Sequence, residues 1–267
     1  MNISVNVARS QILSNLLADL AQFTDDDEQS VIKNMQMSEQ LMRSQWYVID
    51  PKTVNDVNSF YATDATMPYR LTWQLLQNPR LIELYASLPN LALKYVWHTV
   101  LDYDTEIGTA GLVLAELASE ETVAQGSGFA NAYSIRFADW KVGKYQLPYW
   151  MGAQNLNAET HVLWLEWDCI ICTNIIGRAW NPYRMLAEVA CKGHMVVWLS
   201  DFGQCAAGHN DFYPAQQVKP PMWDKIFFSA LRRLESYVYS SLVYGKDPDI
   251  LAEQWIAESG WKKRKVW

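Results

Sequence analysis

Apolar positions in the first part of the chain recur at helical spacing. Between Val5 and Phe23, Ile12, Leu16, Leu17 and Leu20 fall on one face, which predicts an amphipathic helix. Thr24-Asp25-Asp26-Asp27 then supplies caps and first-turn acids for a second helix over about 28–43. A triple aspartate can hold a metal, but acids opening a helix are the ordinary reason for such a run. Pro51, Pro68, Pro79 and Pro89 punctuate the next stretch into short helices, and 91–101 and 106–121 also carry a helical pattern.

The texture changes near Gly126. Gln125-Gly126-Ser127-Gly128 reads as a hinge between a helical region, 1–125, and a second region, 126–267. Tyr133-Ser134-Ile135-Arg136-Phe137 alternates, and Lys141-Val142-Gly143-Lys144 can turn into the run 145–150. Together they predict a β-hairpin with Arg136, Lys141 and Lys144 as a basic tip that could reach DNA. The segment 161–176 is dense in Trp, Ile, Leu and Cys and predicts a strand. A helix is expected over 183–191, with 195–199 continuing it. Beyond Pro220-Pro221, 224–244 reads as one long helix ended by Gly245, and 249–258 as a last helix before the basic tail Lys262-Lys263-Arg264-Lys265. The expected class is α+β, mainly helical.

Composition narrows this. Half of the residues are apolar and 13% aromatic, which excludes disorder and is enough for a sizeable core. The net charge of −7 argues against an autonomous nucleic-acid binder. The charge is uneven: residues 1–125 hold 7 Lys/Arg against 16 Asp/Glu, whereas 126–267 hold 15 against 13. Any polyanion contact is therefore expected in the second region. No stretch reads as a membrane span, and the N-terminus lacks the basic and apolar regions of a signal peptide. The four cysteines are not spaced as a disulfide framework, which leads us to expect a cytoplasmic protein with reduced thiols.

For chemistry, the stretch from Leu163 to Asp211 stands out. Its expected strand runs into Asn174-x-x-Gly177-Arg178, which delivers a permanent cation to the edge of a core. Cys169-x2-Cys172, Cys191-x2-His194 and Cys205-x3-His209 have zinc-like spacing, but on a strand Cys169 and Cys172 point to opposite faces. Trp180-Asn181-Pro182 with Cys191, His194 and Asn210 is similar in order to the thymidylate synthases. That similarity implies a nucleotide hydroxymethylase with Cys191 as nucleophile, although no Pro precedes the cysteine. P-loop, dinucleotide, serine-hydrolase and zinc-protease signatures are absent. His98 and His161 stand in aromatic runs and read as core histidines.

A broader resemblance covers about the last hundred residues. Asn174-x-x-Gly177-Arg178, Asn181-Pro182, Lys192-Gly193, Trp198-Leu199, Gly203, Cys205-Ala206-Ala207-Gly208, the expected helix over 224–244 and Ala252-Glu253-Gln254-Trp255 follow one another as in the single-subunit, phage-type RNA polymerases. Because the chain ends before the catalytic aspartates of that family, it resembles the smaller subunit of the heterodimeric RNA polymerase II of N-four-type bacteriophages. The resemblance implies a helical N-terminal domain and thumb followed by the first part of a palm. It implies a larger partner chain that binds Mg2+, a DNA template with RNA product, a recruiting single-stranded-DNA-binding factor, and the cytoplasm of an infected host. Asn174, Gly177, Arg178 and Lys192 would then contact nucleic acid, with Arg178 forking onto a phosphate. A non-enzymatic phage structural or adaptor protein with an aromatic core is the other alternative.

Overall fold

The computed structural model describes residues 4–49, 54–103, 105–118, 120–129, 132–156, 165–173, 182–199, 228–230, 238–241 and 247–259. The chain forms two compact units, Met1–Asn155 and Leu156–Trp267. The expected boundary at 125/126 falls inside a strand of the first unit.

The first unit opens with helices. The expected single helix over 5–23 is two, α1 (Val5–Ser14) and α2 (Leu16–Thr24), separated at Asn15. Asp25 closes α2 in the left-handed region, at φ 58°. Asp27 then caps α3 (Glu28–Ile49): its carboxylate accepts from Ser30 N at 2.8 Å and Ser30 Oγ at 3.0 Å. Those bonds, the backbone one foremost, hold its carboxyl below the usual value. The triple aspartate thus contributes a helix cap. Next come α4 (Val54–Thr63), α5 (Met67–Gln77) and α6 (Pro79–Tyr95). Pro68 and Pro79 sit in first turns, where the missing N–H costs nothing, whereas Pro89 lies inside α6.

A strand–helix alternation follows. It consists of β1 (Thr99–Tyr103), α7 (Thr109–Leu117), β2 (Val123–Phe129), α8 (Tyr133–Tyr145) and β3 (Tyr149–Leu156). Within this unit the strand order is β3-β2-β1, and β1 and β2 run parallel, with Thr99 opposite Val123 and Tyr103 opposite Ser127. All of β1 after Thr99 is buried, as expected for a parallel strand covered on both faces. Three expectations change here. The helical pattern of 91–101 ends at Tyr95, because Val96 takes a left-handed cap at φ 56° and Thr99–Tyr103 is strand. The hinge over 125–128 is part of β2. The basic hairpin is α8: Ser134, Phe137, Ala138 and Lys141 are buried at offsets 0, 3, 4 and 7, a helical stripe that the five-residue alternation had concealed.

The second unit repeats the motif. β4 (Trp167–Thr173) and β5 (Gly193–Leu199) are parallel, Cys169 opposite Met195 and Thr173 opposite Leu199. A parallel pair requires a crossover, and α9 (Pro182–Lys192) lies between the two strands in sequence. Two short strands, β6 (Phe228–Ala230) and β7 (Val238–Ser241), add antiparallel pairing in the order β4-β5-β7-β6. α10 (Pro248–Ser259) joins α9 through Arg184, which pairs with Glu188 within its own helix and through Nε with Asp249 at 2.6 Å. The helix at 183–191, the last helix and a strand within 161–176 hold. The continuation of the helix through 195–199 and the long helix over 224–244 do not, because β5, β6 and β7 occupy those ranges. Gly245 lies outside the described residues.

The chain is therefore mixed helix and strand, mostly helical, with parallel strands linked by helices. Among the described residues it does not form the polymerase palm that was expected. Among the described residues no helix is long and apolar enough to cross a membrane.

Candidate functional site

In parallel α/β sheets, ligands sit beyond the carboxyl ends of the strands. In the first unit that place is the turn from β1 into α7. Thr105 N donates to Ser127 O at 2.8 Å, tying the turn to the end of β2. Glu106 and Gly108 take left-handed conformations, at φ 52° and 76°. Glycine adopts that region freely; glutamate does so at a cost. Gly108 N donates to Thr105 O at 2.6 Å, and Leu112 N to Gly108 O at 2.9 Å, which starts α7. A Cβ on Gly108 would stand 2.9 Å from Ala138 Cβ.

Asp102, next to last in β1, organises this turn and is 2% exposed. Its Oδ2 accepts from Thr105 Oγ1 at 2.5 Å, Gly111 N at 3.0 Å and Tyr149 OH at 3.2 Å. Thr105 Oγ1 and Tyr149 OH lie 2.8 Å apart. One carboxylate thus joins the strand, the first turn of a helix and the start of β3, with the helix dipole favouring its charge. Burial first, and the Asp102 charge second, push the Tyr149 phenol well above its ordinary value, so it remains a donor. Gly111 is required by this packing: a Cβ there would lie 2.1 Å from the Tyr149 ring.

Two hydroxyls in this region are buried without a hydrogen-bond partner, Ser127 Oγ at the end of β2 and Thr109 Oγ1 at the start of α7. Such atoms are costly unless something meets them. Neither was flagged by sequence motif, because Thr109 fell in the helical pattern of 106–121 and Ser127 in the expected hinge over 125–128. The available signal was the β-branched pair Thr99-Val100 followed by Gly108-x-x-Gly111, glycines at a helix start.

The site residues expected from sequence are not brought together here. Asn174, Gly177 and Arg178 lie outside the described residues, as do Cys205 and His209. Lys192 ends α9 and is half-buried. Arg136 is exposed on α8, its guanidinium 4.9 Å over the Tyr133 ring. Lys144 pairs with Asp19 at 2.8 Å and Gln22 at 2.7 Å, and Lys141 is buried. The three cations are therefore not a hairpin tip aimed at DNA. His98 is exposed rather than in the core; Trp97 takes the buried position.

The thiol chemistry changes as well. Cys191 is buried, and burial, with Glu188 beside it, pushes its thiol up to about 11. A nucleophilic cysteine needs the opposite shift. Cys169 and Cys172 are both buried in β4, and burial raises the Cys169 thiol well above its ordinary value. Among the described residues no three His, Cys, Asp or Glu side chains group to hold a metal.

No protein-family model matches the chain, and no curated protein matches it. Solved structures do. The N-terminal domain of EvdMO1 with SAH bound aligns with a TM-score of 0.36 at 13% identity, over 42% of this chain and 47% of that one. A SAM-dependent methyltransferase from Aquifex aeolicus aligns with 0.32 at 23% identity, over 43% and 62%. Residues 942–1257 of StiE O-MT align with 0.35 at 10% identity, over 72% and 87%. The chain thus spans less than two thirds of the length of the first two.

The polymerase resemblance does not survive. It needed Trp198-Leu199 in a helix, but these residues end β5, and its long helix over 224–244 contains β6 and β7. Of the solved structures reported above, one holds SAH and another is a SAM-dependent methyltransferase. With the polymerase reading go its Mg2+ and the reason for expecting a larger polymerase chain, a DNA template and a recruiting factor. The hydroxymethylase and adaptor alternatives are likewise replaced.

Proposed function

We propose that the chain is a methyltransferase-type α/β protein that holds a nucleoside cofactor, S-adenosylmethionine, beyond the carboxyl ends of β1 and β2. The observation that carries this is the β1–α7 turn, fixed by the buried Asp102 and lying beside the unpartnered Ser127 hydroxyl. A ribose or amino-acid group could supply the bond that Ser127 Oγ lacks. Glycines at 108 and 111 let Ala138 and Tyr149 close against the start of α7 and so fix the turn. The turn sequence Asp102-Tyr103-Asp104-Thr105-Glu106 contains three acids and no basic residue. That composition disfavours the pyrophosphate of a dinucleotide and suits a cofactor without phosphate that carries a cationic sulfonium. When bound, S-adenosylmethionine supplies an electrophilic methyl group; the part of this chain is to seat the nucleoside and keep water from it.

The test is isothermal titration of the full chain with S-adenosylmethionine, S-adenosylhomocysteine and NAD. The first two should bind saturably and NAD should not. Ser127→Val should weaken the first two by roughly fivefold to tenfold, the worth of one hydrogen bond. Absence of saturation by either ligand up to about 1 mM would refute the reading.

A further inference from the structure

A second feature of the first unit is a cavity of about 80 Å³ lined from α1, α2, α7 and α8. Lys141 of α8 forms part of its wall. This residue is 4% exposed, and its Nζ stands 4.7 Å from the centre of the Phe137 ring. Lysine is almost never so deeply buried, and buried lysines are the ones that lose their charge and turn nucleophilic. The neighbouring Lys144 shows the contrast. It reaches Asp19 Oδ1 at 2.8 Å and Gln22 Oε1 at 2.7 Å, and Tyr145 OH donates to the same Asp19 oxygen at 2.6 Å. At Lys141 burial outweighs the attraction of Asp19 and Asp102 and pulls the ammonium down to about 8. About a tenth of its amine is then neutral near pH 7, against roughly one part in a few thousand for an ordinary lysine.

The lining decides what this amine can meet. Asp19 and Glu116 stand there against one lysine, which disfavours an anion, and the lysine disfavours a cation. Leu16, Leu112, Val113 and Leu147 favour a small apolar body of a few carbons. An uncharged small molecule that reacts with an uncharged amine is an aldehyde. We propose that this cavity is a covalent site for a short aliphatic aldehyde, which Lys141 takes up as a Schiff base. The Nζ lone pair adds to the carbonyl carbon and the C=O bond breaks. Both amine protons leave with the oxygen as water, and a C=N bond remains. Once protonated, the imine is a cation that the Asp19 and Glu116 carboxylates favour. The inference does not use the cofactor turn and is read without S-adenosylmethionine, so either proposal can fail without the other.

The probe is butanal with cyanoborohydride, which fixes the imine as a butyl amine, applied to the full chain near pH 7 and mapped by peptide mass spectrometry. Lys141 should be labelled at least about tenfold faster than the other lysines, with a rate that levels off above about pH 8 rather than rising to about 10.5. Glyoxylate, an aldehyde that carries a charge, should label the other lysines and spare Lys141. Val113→Phe, which fills the apolar side of the cavity and leaves the amine in place, should remove the preference for Lys141. The wild-type protein alone decides the matter if that variant does not fold. Labelling of Lys141 no faster than the other lysines, equal preference with glyoxylate, or unchanged labelling in a folded Val113→Phe would overturn the proposal.

Discussion

Replacing Lys141 by methionine should make the ligand-free protein more stable near neutral pH. Desolvation is the chief influence on this side chain. It pulls the ammonium down from 10.5 to about 8, against the smaller opposing pull of Asp19 and Asp102. That difference corresponds to roughly 3 kcal/mol spent keeping the charge buried at neutral pH. The sign follows from proton counts. Between about 8 and 10.5 the unfolded chain binds more protons at this lysine than the folded chain. Stability from this group therefore rises with pH across that window, and the cost is present in full below it. Methionine has similar length and no charge, so Lys141→Met should gain up to about 3 kcal/mol at about pH 7. For a chain of this size that is a rise of roughly 6–10 °C in melting temperature. At about pH 10.5 most of the gain should vanish, because the lysine is then losing its proton in the unfolded chain as well. The groups around it are Asp19, Asp102, Glu116 and Tyr145. They and the raised thiols titrate in both proteins, so the difference between variant and wild type isolates Lys141. Differential scanning calorimetry at the two pH values reads it. A loss of stability at neutral pH, or the same gain at both, would show that the folded protein compensates the ammonium and that the reasoning is wrong.

Two further outcomes are expected. Gly111→Ala should destabilise by about 2–4 kcal/mol in urea unfolding, because its methyl group collides with the Tyr149 ring and disturbs the Asp102 bonds; a change within about 0.5 kcal/mol would mean that Tyr149 gives way freely. In a Cys205→Ser background, Cys169, Cys172 and Cys191 should react with a thiol reagent only as the chain opens, at a rate that follows unfolding; fast labelling of Cys191 in the native protein would contradict its burial and restore its standing as a reactive thiol.

The parts of the fold legible in the sequence are those set by neighbours along the chain. Asp27 and Ser30 mark the start of α3, and Pro182 and Pro248 the first turns of α9 and α10. The apolar density of 161–176 marks a strand, which is realised over Trp167–Thr173. The failures are short apolar runs. Met195-Val196-Val197 has no period of its own long enough to separate helix from strand, and its pairing with β4 decides. The same holds for Val238–Ser241, and for Thr99–Tyr103, whose partner strand begins at Val123. Lys141 and Lys144 show the limit for sites. Three residues apart on one helix, one is buried and the other bridges to Asp19 on α2.

The sequence by itself determined where α3, α9 and α10 begin and that the chain would carry a substantial core, because caps, prolines and apolar content act locally or in sum. Tertiary structure alone decided which apolar runs became strands, that Asp102 would hold a turn together, and that Lys141 would be buried. Strand hydrogen bonds and burial are supplied by residues distant in the chain, so no local pattern encodes them.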